Sequence, residues 1–276
     1  MSRLEERVGL WTPPSGKPPL FVRRWRLPEA RETLLIVHGF GEHGGRYETF
    51  ASAMADRGIS SLCPDLYGHG RTPGRRGELS SLDDSVQVLS ELAREQIASG
   101  RVSVFGHSFG GLLAILWALR DPRHMRCLAV QSPLLEVGFP IPRWKSALAE
   151  ALAVVWPSAA LGLGLDAAWL SHDPQVADDY RRDPLVHQRM TAGTYARLQH
   201  AKGKAMAQAA RLAVPTLLLY GLEDTIISIA HCERFAQSLQ CPKRVVMFPH
   251  ARHELHHETV RSDAADAIAQ WLEQHA

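Results

Sequence analysis

The chain has 276 residues, 45% of them hydrophobic and 22% charged. That length allows one large domain or two small ones, and that composition excludes wholesale disorder. Lys and Arg number 31 against 29 Asp and Glu, a balance of +2, which argues against a dedicated nucleic-acid binder.

The N-terminal Met1-Ser2-Arg3-Leu4-Glu5-Glu6-Arg7 is charged and lacks the apolar run of a secretory signal. Residues 21–27 are expected to add an early antiparallel strand. The run 33–38 is the first of several short apolar segments bounded by turn residues. Such segments suit strands buried on both faces of a parallel sheet. Apolar residues near helical spacing follow over 47–57 and stop at Gly58, and a strand is expected at 60–64. The helix predicted over 82–98 starts behind Ser81, carries Asp83 and Asp84 in its first turn, and stops at Gly100. Strand 102–106 leads directly into helix 109–120, and strand 127–131 comes next. Strand 215–220, helix 229–239, strand 243–248 and helix 260–274 complete the chain. This alternation predicts a doubly wound α/β sheet.

One region breaks the rhythm. About eighty residues between the strands ending near Ser132 and starting near Pro215 hold no convincing strand, and a structureless loop of that size does not suit a compact domain. The segment is rich in Ala and Leu, with Trp144, Trp156 and Trp169 well separated. A helical insertion over the C-terminal edge of the sheet is expected. Its most apolar stretch, 147–165, contains Glu150 and Pro157 and makes a poor transmembrane helix. Cys63, Cys127, Cys232 and Cys241 are far apart, without C-x-x-C pairs or zinc-type spacing. Reduced thiols are expected, and no metal or cofactor is implied.

Gly106-His107-Ser108-Phe109-Gly110 is a G-x-S-x-G match followed by Gly111. The pattern alone is weak, but a strand precedes it and a helix follows, the setting a nucleophile elbow needs. A serine hydroxyl needs a base, and the base needs an orienting carboxylate, in the chain order Ser, acid, His. Strand 215–220 ends in Gly221-Leu222-Glu223-Asp224, which makes Asp224 the chosen acid and Glu223 the alternative. After strand 243–248, four histidines compete as base: His250, His253, His256 and His257. Acyl transfer also needs oxyanion donors. The amide of Phe109 is one candidate, and the amide of Phe40, in His38-Gly39-Phe40-Gly41, is the other. His38 is read as a loop-stabilising residue.

These segments resemble the monoacylglycerol lipase and lysophospholipase group of α/β hydrolases, within the serine aminopeptidase S33-like superfamily. The resemblance rests on five stretches. They are His38-Gly39-Phe40-Gly41-Glu42-His43-Gly44-Gly45-Arg46-Tyr47, Asp65-Leu66-Tyr67-Gly68-His69-Gly70-Arg71-Thr72, the elbow, His172-Asp173-Pro174 with Asp183-Pro184-Leu185-Val186, and His253-Glu254-Leu255-His256-His257-Glu258. It implies an α/β-hydrolase fold, a mostly parallel central sheet flanked by helices with a helical cap inserted after the sixth strand. The catalytic domain would comprise 1–132 and 208–276, and the cap 133–207. It implies a triad of Ser108, Asp224 and His253, and a glycerol-binding pocket built from Glu42, Arg46 and His256. The alternative for Glu42 and Arg46 is an internal salt bridge that rigidifies the oxyanion loop, and both roles can coexist. Thr72 replaces a common Ser, Ala251-Arg252 stand where an aromatic residue is frequent, and Phe109 is bulkier than in some relatives.

The function implied is a serine ester hydrolase cleaving monoacylglycerols to glycerol and fatty acid. A lysophospholipase or broad carboxylesterase is the alternative, and a silent lipid-binding protein the remote one. The serine at the elbow disfavours dehalogenase and epoxide-hydrolase chemistry, and no acidic cluster placed to hold a peptidase substrate's amine is evident. The expected partner is a monoacyl lipid, with no nucleic acid. Ile141, Trp144, Leu148, Leu152, Val155 and Trp156 form a candidate apolar face on the cap that either touches membrane or packs on the sheet domain. Arg143 and Lys145 nearby would weakly favour anionic headgroups. The expected location is cytoplasmic, with peripheral membrane contact through the cap.

Overall fold

The computed structural model describes residues 4–97 and 101–276. Residues 1–3 of the charged N-terminal segment, and the predicted helix end at Ala98 and Gly100, lie outside these. Strands β1 (Glu5–Trp11) and β2 (Leu20–Arg26) pair antiparallel at the start. Then come β3 (Glu32–Val37), α1 (Glu48–Ala55), β4 (Ile59–Pro64), α2 (Leu82–Gln96), β5 (Val102–His107), α3 (Phe109–Arg120) and β6 (Met125–Gln131). An insertion carries α4 (Arg143–Val155), β7 (Ala160–Gly162), α5 (Pro174–Arg182), β8 (Arg189–Thr191) and α6 (Ala192–Ala207). The chain closes with β9 (Thr216–Gly221), α7 (Ile229–Ser238), β10 (Lys243–Phe248) and α8 (Arg261–Gln274).

Eight strands form one sheet in the order β1-β2-β4-β3-β5-β6-β9-β10. β1, β2 and β4 pair antiparallel, and every pairing from β4 to β10 is parallel. The expected mostly parallel sheet flanked by helices is therefore present, and the insertion follows its sixth strand. Side chains alternate between the faces of the sheet. Leu34 and Ile36 of β3 join Phe50 and Met54 of α1 and Ile268 of α8 on one face. Leu35 and Val37 join Leu89 of α2, Leu113 of α3 and Phe235 of α7 on the other. Burial on both faces explains the continuous apolar run, and each of these four β3 side chains, fully buried, contributes roughly 1.5–3 kcal/mol.

The elements missed by the sequence reading are those without a period. β1 is charged and mostly exposed, as suits a sheet edge. β7 and β8 pair antiparallel but have three residues each, too few to register an alternation, so the insertion is not strandless. β10 is parallel as expected but not buried on both faces. It is the other edge, with Val245 and Met247 exposed. Ser81 caps α2 as predicted, accepting from the Asp84 amide at 3.0 Å. All four cysteines are free thiols, three buried and Cys241 half-buried.

Helix α3 packs its first turn against the end of β3 with no room for a side chain. A Cβ at Gly110 would lie 2.0 Å from the Val37 carbonyl oxygen and 2.6 Å from that of His38. Gly203, inside α6, would place a Cβ with nothing within 4 Å. Gly110→Ala is therefore expected to cost about 1–3 kcal/mol or more in urea unfolding. Gly203→Ala is expected to gain about 0.5–1 kcal/mol. Equal stabilities for the two variants would contradict this packing.

Candidate active site

The chemistry-bearing residues collect beyond the C-terminal ends of parallel strands, where open α/β sheets form their ligand crevice. Ser108 directly follows β5, the loop 38–43 follows β3, Asp224 follows β9 and His253 follows β10. Ser108 adopts φ 51° and ψ −113°, an unfavourable region for a residue with a side chain. The turn is held by its neighbours. The Ser108 amide donates to the Gln131 carbonyl at 3.0 Å, and its own carbonyl accepts from Leu112 and Leu134. At Gly106 a Cβ would meet the Gly110 carbonyl at 2.6 Å, so the motif's outer glycines let strand and helix close on the elbow.

Asp224 is buried, and its Oδ1 accepts from the amides of Ile226 (2.8 Å) and Ile227 (3.1 Å). Its Oδ2 lies 2.8 Å from His253 Nδ1. Burial alone would raise the carboxyl, but His253 and these amides outweigh it and hold Asp224 below the usual range. Burial would likewise depress His253, yet Asp224 lifts the imidazole above its ordinary value. The approach of the two loops depends on Gly221, where a Cβ would sit 2.0 Å from the Ala251 carbonyl. The competing candidates point elsewhere. Glu223 is exposed and meets His172 at 3.0 Å and His250 at 3.3 Å. His256 meets Gln131, and His257 meets Glu254 and the Arg46 carbonyl.

Phe109 opens α3, so its amide is one of the four N-terminal donors without an intrahelical acceptor. The helix dipole adds positive potential there. Phe40 packs edge-on against Phe109, with ring centroids 5.5 Å apart. The loop bearing Phe40 is tied down internally. The Gly39 amide and the Tyr47 hydroxyl both donate to Glu42 Oε1, at 2.6 and 2.7 Å. His38 accepts from the Leu66 amide through Nε2, so its Nδ1 carries the proton and donates to the Gly39 carbonyl.

Glu42, Arg46 and His256 do not all reach one pocket. Glu42 lines the cavity that also exposes Ser108 and His253, while Arg46 and His256 are not among its walls. Arg46 is held in an ion-pair triad. Its Nη1 donates to Glu42 at 2.5 Å and to Glu254 at 2.7 Å, and its Nη2 donates to the second Glu254 oxygen at 2.7 Å. This is the internal salt bridge weighed as the alternative role, extended to a second carboxylate. His256 is buried, stacks on Tyr47 at 4.7 Å and meets the Gln131 amide at 2.8 Å. Burial first, then the neighbouring His257, keeps it far below the ordinary histidine value. His107, which precedes the serine, meets the same Gln131 amide at 3.1 Å. Burial and nearby His253 push it down to about 4, so it stays neutral.

Glu254 and Gln131 are the residues of this site that the sequence reading passed over. Both lie inside quoted segments, but their partners come from distant loops, and spacing along the chain carries no trace of that. Glu254 also lines the cavity, so an acidic pair, held by Arg46, stands beside the candidate nucleophile. Glu254, His256 and His257 bring ligand atoms within 4.8 Å of one another. The Arg46 guanidinium occupies both Glu254 oxygens, however, and puts a positive charge where a cation would have to sit.

The cavity at Ser108 measures about 120 Å³, and the insertion forms part of its wall through Leu163, Leu165, Leu170, Tyr180 and Met190. A larger apolar cavity of about 620 Å³ shares Leu134, Val137, Phe139, Leu163 and Met190 with it. Among the described residues, no helix is long and apolar enough to cross a membrane.

A model of the family described as "Serine aminopeptidase, S33" matches residues 28–260. The chain is 28% identical over 94% of its length to an uncharacterized abhydrolase domain-containing protein of Dictyostelium discoideum, and spans 28% of that longer chain. It is 30% identical to the monoglyceride lipase of Homo sapiens, over 92% of this chain and 87% of that one. The crystal structure of the Paleococcus ferrophilus monoacylglycerol lipase superposes with a TM-score of 0.86 at 30% identity, covering 93% of this chain and 99% of the other.

A base must be neutral to accept a proton. Asp224 raises the His253 pKa, so with His253 as the candidate base, activity is lost as pH falls through the raised value. The acid limb of a kcat/KM profile on a neutral ester is therefore expected to have its midpoint above about 6.5, the ordinary histidine value. A midpoint below that would contradict the Asp224–His253 coupling.

Proposed function

The chain belongs to the serine aminopeptidase S33 family, and we propose that it is a serine ester hydrolase that cleaves monoacylglycerols. The observation that carries this reading is the 2.8 Å contact between His253 Nδ1 and Asp224, on a cavity that also exposes Ser108 at a strand–helix elbow. The monoglyceride lipase names of the human and Paleococcus relatives support the substrate class.

In this mechanism Ser108 Oγ attacks the ester carbonyl while His253 Nε2 takes its proton. Asp224 fixes the imidazole tautomer and stabilises the imidazolium. The amides of Phe40 and Phe109 stabilise the tetrahedral oxyanion. Collapse breaks the ester bond, and His253 returns the proton to the departing glycerol. Water, deprotonated by His253, then attacks the acyl-enzyme and releases the fatty acid and Ser108.

The apolar cavity that continues from the site suits the acyl chain, and Glu42 suits the glycerol hydroxyls. Arg46 and His256 act from behind Glu42, holding the loop that carries it. Residues 133–207 act as a cap over the sheet, and 1–132 with 208–276 form the catalytic domain. Helix α4 of the cap buries only Ala149, and it leaves Trp144, Leu148, Val154 and Val155 exposed, as is Trp156 just after it. Such a cluster suits transient contact with membrane or micelle.

Ser108→Ala is expected to lower kcat by about 10⁴-fold or more on 1-monolauroylglycerol and on p-nitrophenyl butanoate, with an unchanged far-UV spectrum. Near-wild-type activity in that variant would overturn the nucleophile. Hydrolysis of the nitrophenyl ester without any fatty acid release from monolauroylglycerol, both by wild type, would overturn the substrate while keeping the esterase.

A further inference from the structure

The cavity at Ser108 has two chemically different ends. One end is walled by Leu134, Val137, Phe139, Leu163 and Met190, which also line the larger apolar cavity. The other is walled by Glu42 and Glu254 beside His253, with both carboxylates paired to Arg46. The leaving alcohol belongs at this second end, because His253 must reach its oxygen to return a proton. The charges there can be counted. Glu42 and Glu254 are lining residues, and Asp224 lies behind His253. Burial alone would raise both glutamates, but Arg46 outweighs it, and each is held ionised below its usual range. Arg46 is the one permanent cation in contact with the pair. It lies outside the lining, and its guanidinium is placed 5.0 Å from the ring of Tyr180, which does line the cavity. His257 Nδ1 stands 2.7 Å from Glu254, also behind the wall. With His253 neutral, as a base must be, three carboxylates against Arg46 leave two negative charges. Among the described residues, no Lys or Arg lines the cavity.

We propose that Glu254 makes the alcohol end of this site acidic, so that it accepts esters of neutral and ammonium-bearing alcohols and rejects esters whose alcohol carries a phosphate. This rests on the ester-hydrolase reading and deepens it. An anionic headgroup placed beside two ionised carboxylates against low-dielectric protein walls is repelled more than it would be in bulk water. A quaternary ammonium meets the same carboxylates favourably, with the Tyr180 ring beside them. Glu42 alone would be neutralised by Arg46. Glu254 is the second carboxylate that tips the balance, and it does so while holding Arg46 away from the substrate with two charge-assisted hydrogen bonds. The site therefore separates a monoacylglycerol from a lysophospholipid by charge at the head group, with the acyl chain left to the apolar end.

The test uses three soluble butanoyl esters, of glycerol, choline and glycerol 3-phosphate, on the full chain, with p-nitrophenyl butanoate as reference. For wild type, kcat/KM on the choline ester should lie within tenfold of the glycerol ester, and the phosphate ester at least tenfold below both. Raising ionic strength should narrow that gap. In Glu254→Gln, the ratio of glycerol to phosphate ester should fall at least fivefold, because one negative charge is removed and Arg46 keeps only one carboxylate partner. Equal kcat/KM on the three esters in wild type would overturn the proposal, as would an unchanged ratio in the folded variant. If that variant does not fold, the wild-type order and its salt dependence decide alone. Activity on the nitrophenyl ester with none on the glycerol ester would instead overturn the monoacylglycerol reading.

Discussion

One guanidinium ties the site together. Arg46 grips Glu42, in the loop after β3, and Glu254, in the loop after β10, with three hydrogen bonds of 2.5–2.7 Å. The first loop carries the Phe40 amide and the second carries His253. Two parts of the machinery that come from opposite ends of the chain are thereby fixed at one separation. All three ionic side chains are buried, so each gave up hydration on folding. A buried cluster of this kind is weak evidence of net stability, but loss of one member strands the others at a cost of about 3–5 kcal/mol. Its benefit lies in geometry, since misplacement by about an ångström is enough to cost a catalytic site much of its rate.

Around that clamp, burial sorts the titratable groups into distinct states. His107 and His256 share the Gln131 amide and are kept neutral by burial, the first at about 4. His253, equally buried, is raised because Asp224 meets it directly. The same ring type is therefore held neutral at two positions and raised at a third, the proposed base. The difference is made by one carboxylate and its two backbone donors. The neutral pair also spares the site two further positive charges.

The sheet was legible from sequence wherever burial left a pattern. β3, β5, β6 and β9 are buried on both faces, and their apolar runs mark them plainly. The elbow was legible because Gly106 and Gly110 answer steric demands that only glycine meets. The candidates Asp224 and His253, which meet at 2.8 Å, came from chain order, with family resemblance choosing among four histidines. What the chain concealed depends on contacts between loops. Nothing in the spacing of Glu254 from Arg46, 208 residues apart, announces a bidentate pair. Nor does the sequence tell Val245 and Met247, exposed on edge strand β10, from the buried residues of β9. The three-residue strands β7 and β8 are too short for any periodicity to arise.

These features converge on Ser108 as a nucleophile activated by His253 and Asp224. The most direct measurement is active-site labelling with a fluorophosphonate, followed by peptide mass spectrometry. The expected result is one equivalent of label, on Ser108, lost when Asp224 is replaced by Ala and when the pH falls below the His253 titration. Label on another serine, or stoichiometric label on Ser108 that ignores both Asp224 and pH, would contradict the account.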